Sequence, residues 1–448
     1  MMGVHRVLPI LLLFNPLASA SVHNTVNTWG GVLEYDEDWG YVDIRSAAHT
    51  FWWLYAVKPA NNRPLILWLQ GGPGASSTGF GNFEETGPKT MNSTDNLSTW
   101  LQVADLVYVD NPVGSGFSYV DEDDAFTTDV AQIGQDLLLW LRQFLVLHNE
   151  YRTRPFFIFC ESYGGKMSAE FARVITQEIA SGSLRLDFRG VALGDSWISA
   201  MDYVNSWGEY LYANSYLDSN QLARVNAQAK ACQKKVDQNQ WSQATNCWGN
   251  MEDLIEVETD GVSWYNILKY GGQDDWSKKR RKRSTFGWRS RQFQRHVGRL
   301  QLDALSNYMD TTVRAKLGII PDNVKFGAQS SAVFNKQSGD FMKPNWDTVD
   351  GLLKNGTNVV VYNGNQDLIC DSIGTEMWMN RLTWTGMSSF QTARKTKLST
   401  KSFPLAGFKK RYNNLSFYLI LRAGHMVAYD TPEAAVAIVK QIVSDYGN

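Results

Sequence analysis

The chain has 448 residues, of which 13% are aromatic, and its formal net charge at pH 7 is −2. A net charge so close to zero gives no reason to expect nucleic acid or an anionic membrane surface as a partner. The length is compatible with two or three average domains, and equally with one large α/β core that carries insertions.

The first 20 residues have the layout of a secretory signal peptide. His5 and Arg6 precede an apolar stretch that ends at Ala18-Ser19-Ala20, so we expect cleavage after Ala20. No later apolar run is long enough to cross a bilayer, which predicts a protein of the secreted or lysosomal route. Asn-x-Ser/Thr sequons fit that route, and we expect about half of them to carry a glycan, since sequons also occur by chance. They begin at Asn92, Asn96, Asn355 and Asn414.

Strand-like and helix-like stretches alternate along most of the chain. Over residues 31–60 apolar and polar side chains alternate, and many of them are aromatic. This pattern is typical of antiparallel strands at one edge of a sheet. Core strands are predicted at about 64–70, 105–110, 155–160, 189–194, 358–363 and 415–421. Helices with one apolar face are predicted between them, notably over 127–148 and 431–445. This order predicts an α/β fold with a mostly parallel central sheet and helices on both sides.

A glycine-rich loop follows the strand predicted at 64–70. Its sequence is Gln70-Gly71-Gly72-Pro73-Gly74-Ala75-Ser76-Ser77. Glycines allow the backbone to approach a ligand closely, and backbone N–H groups in such a loop can stabilise an oxyanion. We predict that Gly72 supplies one of these N–H groups. An ordinary Gly/Pro turn is the alternative.

Ser162 is predicted at a sharp turn between a strand and a helix. It lies in Cys160-Glu161-Ser162-Tyr163-Gly164-Gly165, which is close to Gly-x-Ser-x-Gly but has cysteine in the first glycine position. Such a turn exposes the hydroxyl, and the helix behind it offers free N–H groups to an oxyanion. The sequence predicts that Ser162 is a nucleophile and that Tyr163 provides the second oxyanion donor. The alternative is an ordinary strand–helix turn.

The alternation of strands and helices breaks at about residues 198–315. This stretch is polar and rich in Gln and Asn, and its Cys232 and Cys247 are close enough in sequence to form a disulfide. We interpret the stretch as a helical cap over the active site. The predicted organisation is a signal peptide (1–20), a first part of the core (21–197), the cap (198–315) and a second part of the core (316–448).

The strongest charge run of the chain lies inside the predicted cap. It is Lys278-Lys279-Arg280-Arg281-Lys282-Arg283. Like charges at this density repel one another and keep a loop extended. Behind a signal peptide, a multibasic run of this kind is typical of sites that secretory convertases cut, so we predict a nick after Arg283. An uncut, solvated loop is the alternative.

Two residues further along the chain could activate Ser162. Asp367 follows the strand predicted at 358–363, and His425 follows the strand predicted at 415–421. In an open α/β sheet the active site lies just past the carboxyl ends of the strands. A serine needs an imidazole base that an acid orients, and the order Ser, Asp, His is that of α/β hydrolases. The alternative is that Asp367 caps a turn and His425 lies in a surface loop.

Several motifs together resemble the serine carboxypeptidases, over a region from about Trp29 to the C-terminus. They are Leu69 to Ser77, Asp110 to Tyr119, Glu161 to Lys166 and Ala423 to Val427. Three further motifs are similar to the retinoid-inducible branch of this family, namely Trp68-Leu69-Gln70, Gly194-Asp195-Ser196-Trp197 and Gln294-Arg295-His296-Val297. The resemblance implies an α/β-hydrolase fold with an inserted cap and peptidase activity on substrates with a free C-terminus. We predict neither a metal nor a cofactor.

The family recognises the substrate carboxylate with an acidic pair and an amide. By the resemblance, Glu161 matches one acid and Glu85 the other, with the adjacent Glu84 as an alternative. Two neighbouring carboxyls do not both ionise readily, so one is expected to keep its proton, which predicts a preference for acidic pH. Gln70 stands where most members have Asn, so its amide reaches further and the site could be displaced.

The resemblance also bears on the cysteines. Cys370 follows Asp367 at the spacing where relatives keep an unpaired thiol, so we predict that Cys160 and Cys370 are free. The alternative is that these two pair with each other. Cys160 also replaces a small residue before the nucleophile, which requires a buried position. Ala75 stands where many relatives have a half-cystine, so one common disulfide is absent.

The sequence therefore predicts an enzyme that removes C-terminal residues from peptides through an acyl-enzyme. Ester hydrolysis or acyl transfer by the same three residues is one alternative, and a catalytically silent secreted binding protein is another. The preferred side chains and the oligomeric state, monomer or homodimer, stay open.

Overall fold

The computed structural model of the chain describes residues 22–59, 62–269 and 302–447. The predicted signal peptide, the basic run with its nick after Arg283, and the motif at 294–297 lie outside the described residues. Within the described ranges, no helix combines the length and the apolar character that crossing a bilayer requires.

The strands that the structure describes belong to one sheet. They are β1 Val22–Thr28, β2 Gly31–Arg45, β3 Ala48–Lys58, β4 Leu65–Leu69, β5 Asp105–Val109, β6 Tyr119–Val120, β7 Phe156–Glu161, β8 Phe188–Gly194, β9 Val359–Gly364, β10 Thr396–Leu398, β11 Gly407–Tyr412 and β12 Leu415–Ile420. Their order is β1-β2-β3-β5-β4-β7-β8-β9-β12-β11-β10, with β6 paired to β3. From β5 to β12 neighbouring strands are parallel. The strands at both edges are antiparallel, and the edge formed by β10 and β11 was not predicted.

Helices surround the sheet and form much of the connecting chain. They are α1 Val130–Leu147, α2 Gly164–Ala180, α3 Ala200–Ala213, α4 Ser219–Asp237, α5 Trp241–Glu258, α6 Leu302–Tyr308, α7 Arg314–Leu317, α8 Ser331–Lys336, α9 Trp346–Lys354, α10 Ser372–Met379, α11 Met387–Thr392, α12 Val427–Asp430 and α13 Pro432–Tyr446. A wider π-helical segment, Ser77–Thr86, follows the glycine-rich loop.

The central strands are buried on both faces because their apolar side chains alternate between two core layers. On β4, Leu65, Leu67 and Leu69 pack in one layer, whereas Ile66 and Trp68 pack in the other. Full burial of such side chains stabilises the fold by about 1.5–3 kcal/mol each. The position of β4, and of the glycine-rich loop that follows it, is therefore fixed by the core.

Helices α3, α4 and α5 lie within the stretch predicted as a cap. Cys232 of α4 and Cys247 of α5 form a disulfide with their Cα atoms 5.4 Å apart. Because the two cysteines are 15 residues apart, this bond is expected to stabilise the fold by about 3 kcal/mol. The chain after α5 returns to the carboxyl ends of the parallel strands.

The sequon asparagines differ in their exposure. Asn92 and Asn355 are exposed. Asn96 donates from Nδ2 to the carbonyl oxygen of Gly87 at 2.9 Å, and Asn414 is half-buried and donates in the same way to Thr357 at 2.8 Å. Since the glycan is attached at Nδ2, the geometry favours Asn92 and Asn355 as glycosylation sites.

Candidate active site

Ser162 lies in a strained turn at the carboxyl end of β7. Its φ of 62° is in the left-handed region that non-glycine residues rarely adopt. Its N–H lies 3.1 Å from the carbonyl oxygens of both Gly194 and Asp195, and its own carbonyl accepts from the N–H of Trp197 at 2.9 Å. Such a conformation costs about 1–3 kcal/mol and persists because the surrounding structure holds it. The turn has the position and the strain expected of a nucleophilic serine.

The glycine-rich loop after β4 contacts this turn directly. A Cβ atom on Gly71 would lie only 2.4 Å from Cβ of Ser162 and 2.9 Å from the backbone nitrogen of Tyr163. Only glycine allows so close an approach. The sequence does not distinguish Gly71 from the neighbouring glycines, because its role depends on a contact between two loops that are distant along the chain.

The backbone N–H groups of Gly72 and Tyr163 donate to no acceptor among the described residues. Tyr163 directly precedes α2, and the first N–H groups of a helix carry partial positive charge. Its ring is fixed because the hydroxyl donates to Oδ2 of Asp340 at 2.8 Å, and Nζ of Lys166 donates to the same oxygen at 2.7 Å. The two N–H groups predicted as an oxyanion hole are thus available to a ligand.

The structure brings Asp367 and His425 together. Nδ1 of His425 lies 2.8 Å from Oδ2 of Asp367, and the second carboxylate oxygen accepts from the N–H of Cys370 at 3.2 Å. Nε2 of His425 is buried and has no hydrogen-bond partner in the described part of the chain, so the Ser162 hydroxyl is not bonded to it. In unliganded enzymes such bonds are often long and tighten when substrate binds. An unpartnered Nε2 is free to accept a proton.

Residues 262–269, which follow α5, hold the loops that carry Asp367 and His425. The carbonyl oxygen of Trp264 accepts from the N–H of Leu368 at 3.2 Å, and that of Tyr265 accepts from the N–H of His425 at 2.6 Å. The rings of Tyr265 and His425 lie 4.9 Å apart. These contacts were not predicted, since the segment has no recognisable motif and lies about a hundred residues or more before the loops it holds.

A buried pair of carboxyls lies beside the nucleophile. Burial raises the pKa of Glu85 to about 8. The neighbouring side chains of Glu161 and Gln70 act in the opposite direction and lower this pKa, but burial outweighs them. Neither oxygen of Glu85 accepts a hydrogen bond of ordinary geometry in the described residues, which agrees with burial as the main cause. Burial, followed by the charge of Glu85, raises the pKa of Glu161 well above its usual range. The adjacent Glu84 is half-buried, and its charge adds to the rise in the pKa of Glu85.

Gln70 connects the carboxyl pair to the core. Its Nε2 donates to Oε1 of Glu161 at 2.9 Å, and its Oε1 accepts from Nε1 of Trp68 at 2.7 Å. Both ends of the amide are therefore fixed by neighbouring side chains. The longer side chain of glutamine at this position still reaches Glu161.

Cys160 and Cys370 are free thiols, and both are buried. Burial raises the pKa of Cys160 to about 11, and burial with the charge of Asp367 raises the pKa of Cys370 well above its usual range. Ligand atoms of Asp367, Cys370 and His425 lie within 4.8 Å of one another, a spacing compatible with a metal ion. Because the aspartate and the histidine bond to each other and the thiol is held neutral, we interpret this cluster as a catalytic pair with an adjacent thiol.

Most of the chain matches one protein family. A profile described as serine carboxypeptidase matches residues 30–445. The retinoid-inducible serine carboxypeptidase of Mus musculus is 47% identical over 91% of this chain and 92% of its own length. That of Homo sapiens is 43% identical over 97% of both chains. Serine carboxypeptidase-like 51 of Arabidopsis thaliana is 37% identical over 91% of this chain and 92% of its own length.

A solved structure matches the fold. It is that of Kex1, a prohormone-processing carboxypeptidase of Saccharomyces cerevisiae, with a TM-score of 0.77 and 22% sequence identity over 92% of each chain. At this identity the match concerns the fold alone, and it confirms the predicted α/β-hydrolase architecture.

Proposed function

This chain belongs to the serine carboxypeptidase family of peptide-bond hydrolases, and on that premise we propose that it removes C-terminal residues from peptides at acidic pH. The observation that carries the proposal is the buried pair of Glu85 and Glu161, of which Glu161 directly precedes Ser162 in sequence. A general ester hydrolase has no need of two buried carboxyls at this position. A peptidase that selects a free C-terminus does.

In the proposed reaction the hydroxyl of Ser162 attacks the carbonyl carbon of the last peptide bond. Its proton passes to Nε2 of His425, whose Nδ1–H donates to Asp367. The N–H groups of Gly72 and Tyr163 stabilise the oxyanion of the tetrahedral intermediate. His425 then gives its proton to the departing amino group, and water releases the acyl group by the same sequence in reverse.

The substrate carboxylate is recognised without a cation. A protonated carboxyl is a hydrogen-bond donor, so the acidic pair donates to the carboxylate of the last residue as long as it keeps its shared proton. Gln70 orients Glu161 and can offer its remaining amide hydrogen to the same ligand. When the pH rises through the raised pKa of the pair, the site becomes anionic and repels the substrate.

The experiment that tests this proposal compares two forms of one peptide, with a free and with an amidated C-terminus. The account predicts that the wild type shortens the free acid and leaves the amide intact, and that Ser162→Ala shortens neither. Equal cleavage of the two forms by the wild type would show that the acidic pair does not select a carboxylate.

The proposed location and processing rest on sequence patterns. Residues 1–20 predict entry into the secretory pathway, and the multibasic run predicts a convertase nick after Arg283. Protein recovered from secreting cells is expected to give two bands on a reducing gel, and one band after Arg283→Ala. A wild-type protein that stays as one band contradicts the proposed nick.

A further inference from the structure

Asp195 contacts the backbone of the nucleophile from the loop directly after β8. Its carbonyl oxygen lies 3.1 Å from the N–H of Ser162, and its own N–H donates to the carbonyl oxygen of Tyr362 at 2.9 Å. Asp195 is 1% exposed, and its φ of 41° is unusual for a residue with a side chain. Strained, buried positions of this kind cluster at active sites because the surrounding structure must hold them.

The side chain of Asp195 faces the catalytic aspartate. Oδ1 accepts from the N–H of Gly364 at 2.8 Å. Oδ2 is buried and bonds to no donor among the described residues, while the carboxyl of Asp367 lies within hydrogen-bonding reach. Two ionised carboxylates are both acceptors and repel each other, whereas a protonated carboxyl donates one hydrogen bond. If Asp195 is neutral, its protonated Oδ2 can donate to the carboxylate of Asp367, and the oxygen is no longer without a partner.

The surroundings of Asp195 favour its neutral form. Five titratable groups are close enough to interact electrostatically with Asp195, namely Asp367, Asp430, Glu161, Cys370 and Tyr362. Asp430 is paired with Lys269, with 2.6 Å between Nζ and Oδ1, but no cation contacts Asp195 in the described ranges. Burial, then the charge of Asp367, therefore raises the pKa of Asp195 well above its usual range.

We propose that Asp195 is a positioning residue which, as a neutral acid, donates a hydrogen bond from Oδ2 to the carboxylate of Asp367. Asp367 then accepts three hydrogen bonds, from Asp195, from the N–H of Cys370 and from Nδ1 of His425. The carboxylate is held in the plane that orients the imidazole, and its charge is retained for the imidazolium that forms during the reaction. The inference rests on the proposed function, because it assigns Asp195 a role relative to the same three residues.

Two substitutions at Asp195 separate the hydrogen bond from the backbone strain. Asp195→Asn keeps the size and supplies an amide N–H that donates at every pH, while its oxygen still accepts from Gly364. Asp195→Gly adopts a positive φ without strain. It removes the donor to Asp367 and also the acceptor of the Gly364 N–H. Asp350→Asn is the matched control, since Asp350 is buried at 5% exposure and bonds to Thr383, Trp384 and Lys354 rather than to a residue of the triad.

The readout is the rate constant of labelling by a fluorophosphonate across the pH range, with a melting temperature for each variant. This probe carries no carboxylate, so it does not depend on the acidic pair. We expect Asp195→Gly to react about 10- to 100-fold more slowly, which is the effect of losing one hydrogen bond to a charged group. The bond from the N–H of Gly364, which Asp195→Asn keeps, is lost as well. Asp195→Asn should stay within about threefold of the wild type at acidic pH and keep its rate at higher pH, where the wild type loses the proton.

The outcomes distinguish this inference from the proposed function. Asp195→Gly reacting at the wild-type rate at every pH overturns the positioning role, as does Asp195→Asn being as slow as Asp195→Gly. If Asp195→Gly fails to fold, Asp195→Asn decides alone, because a tenfold or greater loss of labelling at acidic pH overturns the inference. A wild type that labels no faster than Ser162→Ala instead contradicts the proposed function itself.

Discussion

Nδ1 of His425 lies 2.8 Å from Oδ2 of Asp367, and the two side chains are 1% and 0% exposed. A hydrogen bond that is buried from solvent in this way fixes the tautomer of the imidazole. The proton is held on Nδ1, and Nε2 is left as the acceptor. The backbone contact from Tyr265 to the N–H of His425 holds the loop that carries the ring. The proposed reaction requires this pair to be formed before substrate binds, as it is in this structure.

The first prediction concerns the acid of the pair. Asp367→Asn keeps the shape of the side chain, but its amide can donate to Nδ1 of His425 and so favours the tautomer with the proton on Nε2. That tautomer cannot act as the base, so we expect kcat for peptides to fall by about 10³- to 10⁴-fold with little change in KM. Steady-state kinetics measures both. The control is Asp371→Asn, a buried carboxyl that caps α10 and should alter stability rather than kcat. A tenfold loss or less in Asp367→Asn would contradict the assigned role.

The second prediction concerns the pH dependence of substrate binding. The raised pKa of Glu85, about 8, means that the pair is protonated in acid and loses its proton as the pH rises past that value. We therefore expect kcat/KM for peptides to fall through that range, while kcat/KM for a small neutral ester falls less. Glu85→Gln, which cannot ionise, should weaken the fall. Glu84→Gln removes a charge that helps to raise the pKa of Glu85, so it should move the fall to lower pH without weakening it. Identical peptide and ester profiles in the wild type would contradict the role of the pair.

The third prediction concerns the contact between the glycine-rich loop and the serine turn. A methyl group on Gly71 would meet Cβ of Ser162 at 2.4 Å, so one of the two loops must move. We expect Gly71→Ala to lower fluorophosphonate labelling at least about 100-fold, because misplacement by one ångström costs that much. Gly351→Ala in α9 meets no atom within 4 Å and should stabilise the protein by up to about 1 kcal/mol. Normal labelling of Gly71→Ala would show that the contact is not required.

The fourth prediction concerns stability in acid. His49 lies between two carboxylates, with Nδ1 at 2.6 Å from Asp43 and Nε2 at 2.9 Å from Asp121. Burial lowers the pKa of His49, but the bonds to Asp121 and Asp43 outweigh it and the net shift is upward. The protonated histidine thus stabilises the fold at acidic pH, and this contribution disappears as the pH rises through the raised pKa. We expect His49→Gln to lower the melting temperature in acid and to match the wild type above neutrality, and an equal loss at both pH values would refute this.

The sequence predicted the features that local patterns encode. The apolar runs of β4, β7 and β9 and the turn at Ser162 have local signals, and these elements lie within one or two residues of their predicted bounds. The pairing of Asp367 with His425 could also be predicted, since both follow parallel strands whose carboxyl ends meet at one edge of the sheet.

The remaining features depend on contacts between distant parts of the chain. The close approach of Gly71 to Ser162, the bonds from residues 264 and 265 to the catalytic loops, and the facing carboxyls of Asp195 and Asp367 have no signal in local spacing. Asp195 belongs to the motif Gly194-Asp195-Ser196-Trp197, but the motif does not encode the burial of its carboxyl or the unpartnered Oδ2. The choice of Glu85 over Glu84 followed from the family resemblance, whereas the burial of Glu85 beside Glu161 is a contact that local spacing does not encode.

The most direct test of the central claim is a peptide mixture incubated at acidic pH with the wild type and with Ser162→Ala, followed by mass spectrometry. The account predicts stepwise loss of single residues from the C-termini with the wild type, and unchanged masses with Ser162→Ala. Unchanged masses with both proteins, or identical shortening by both, would contradict the claim that Ser162 is the nucleophile of a carboxypeptidase.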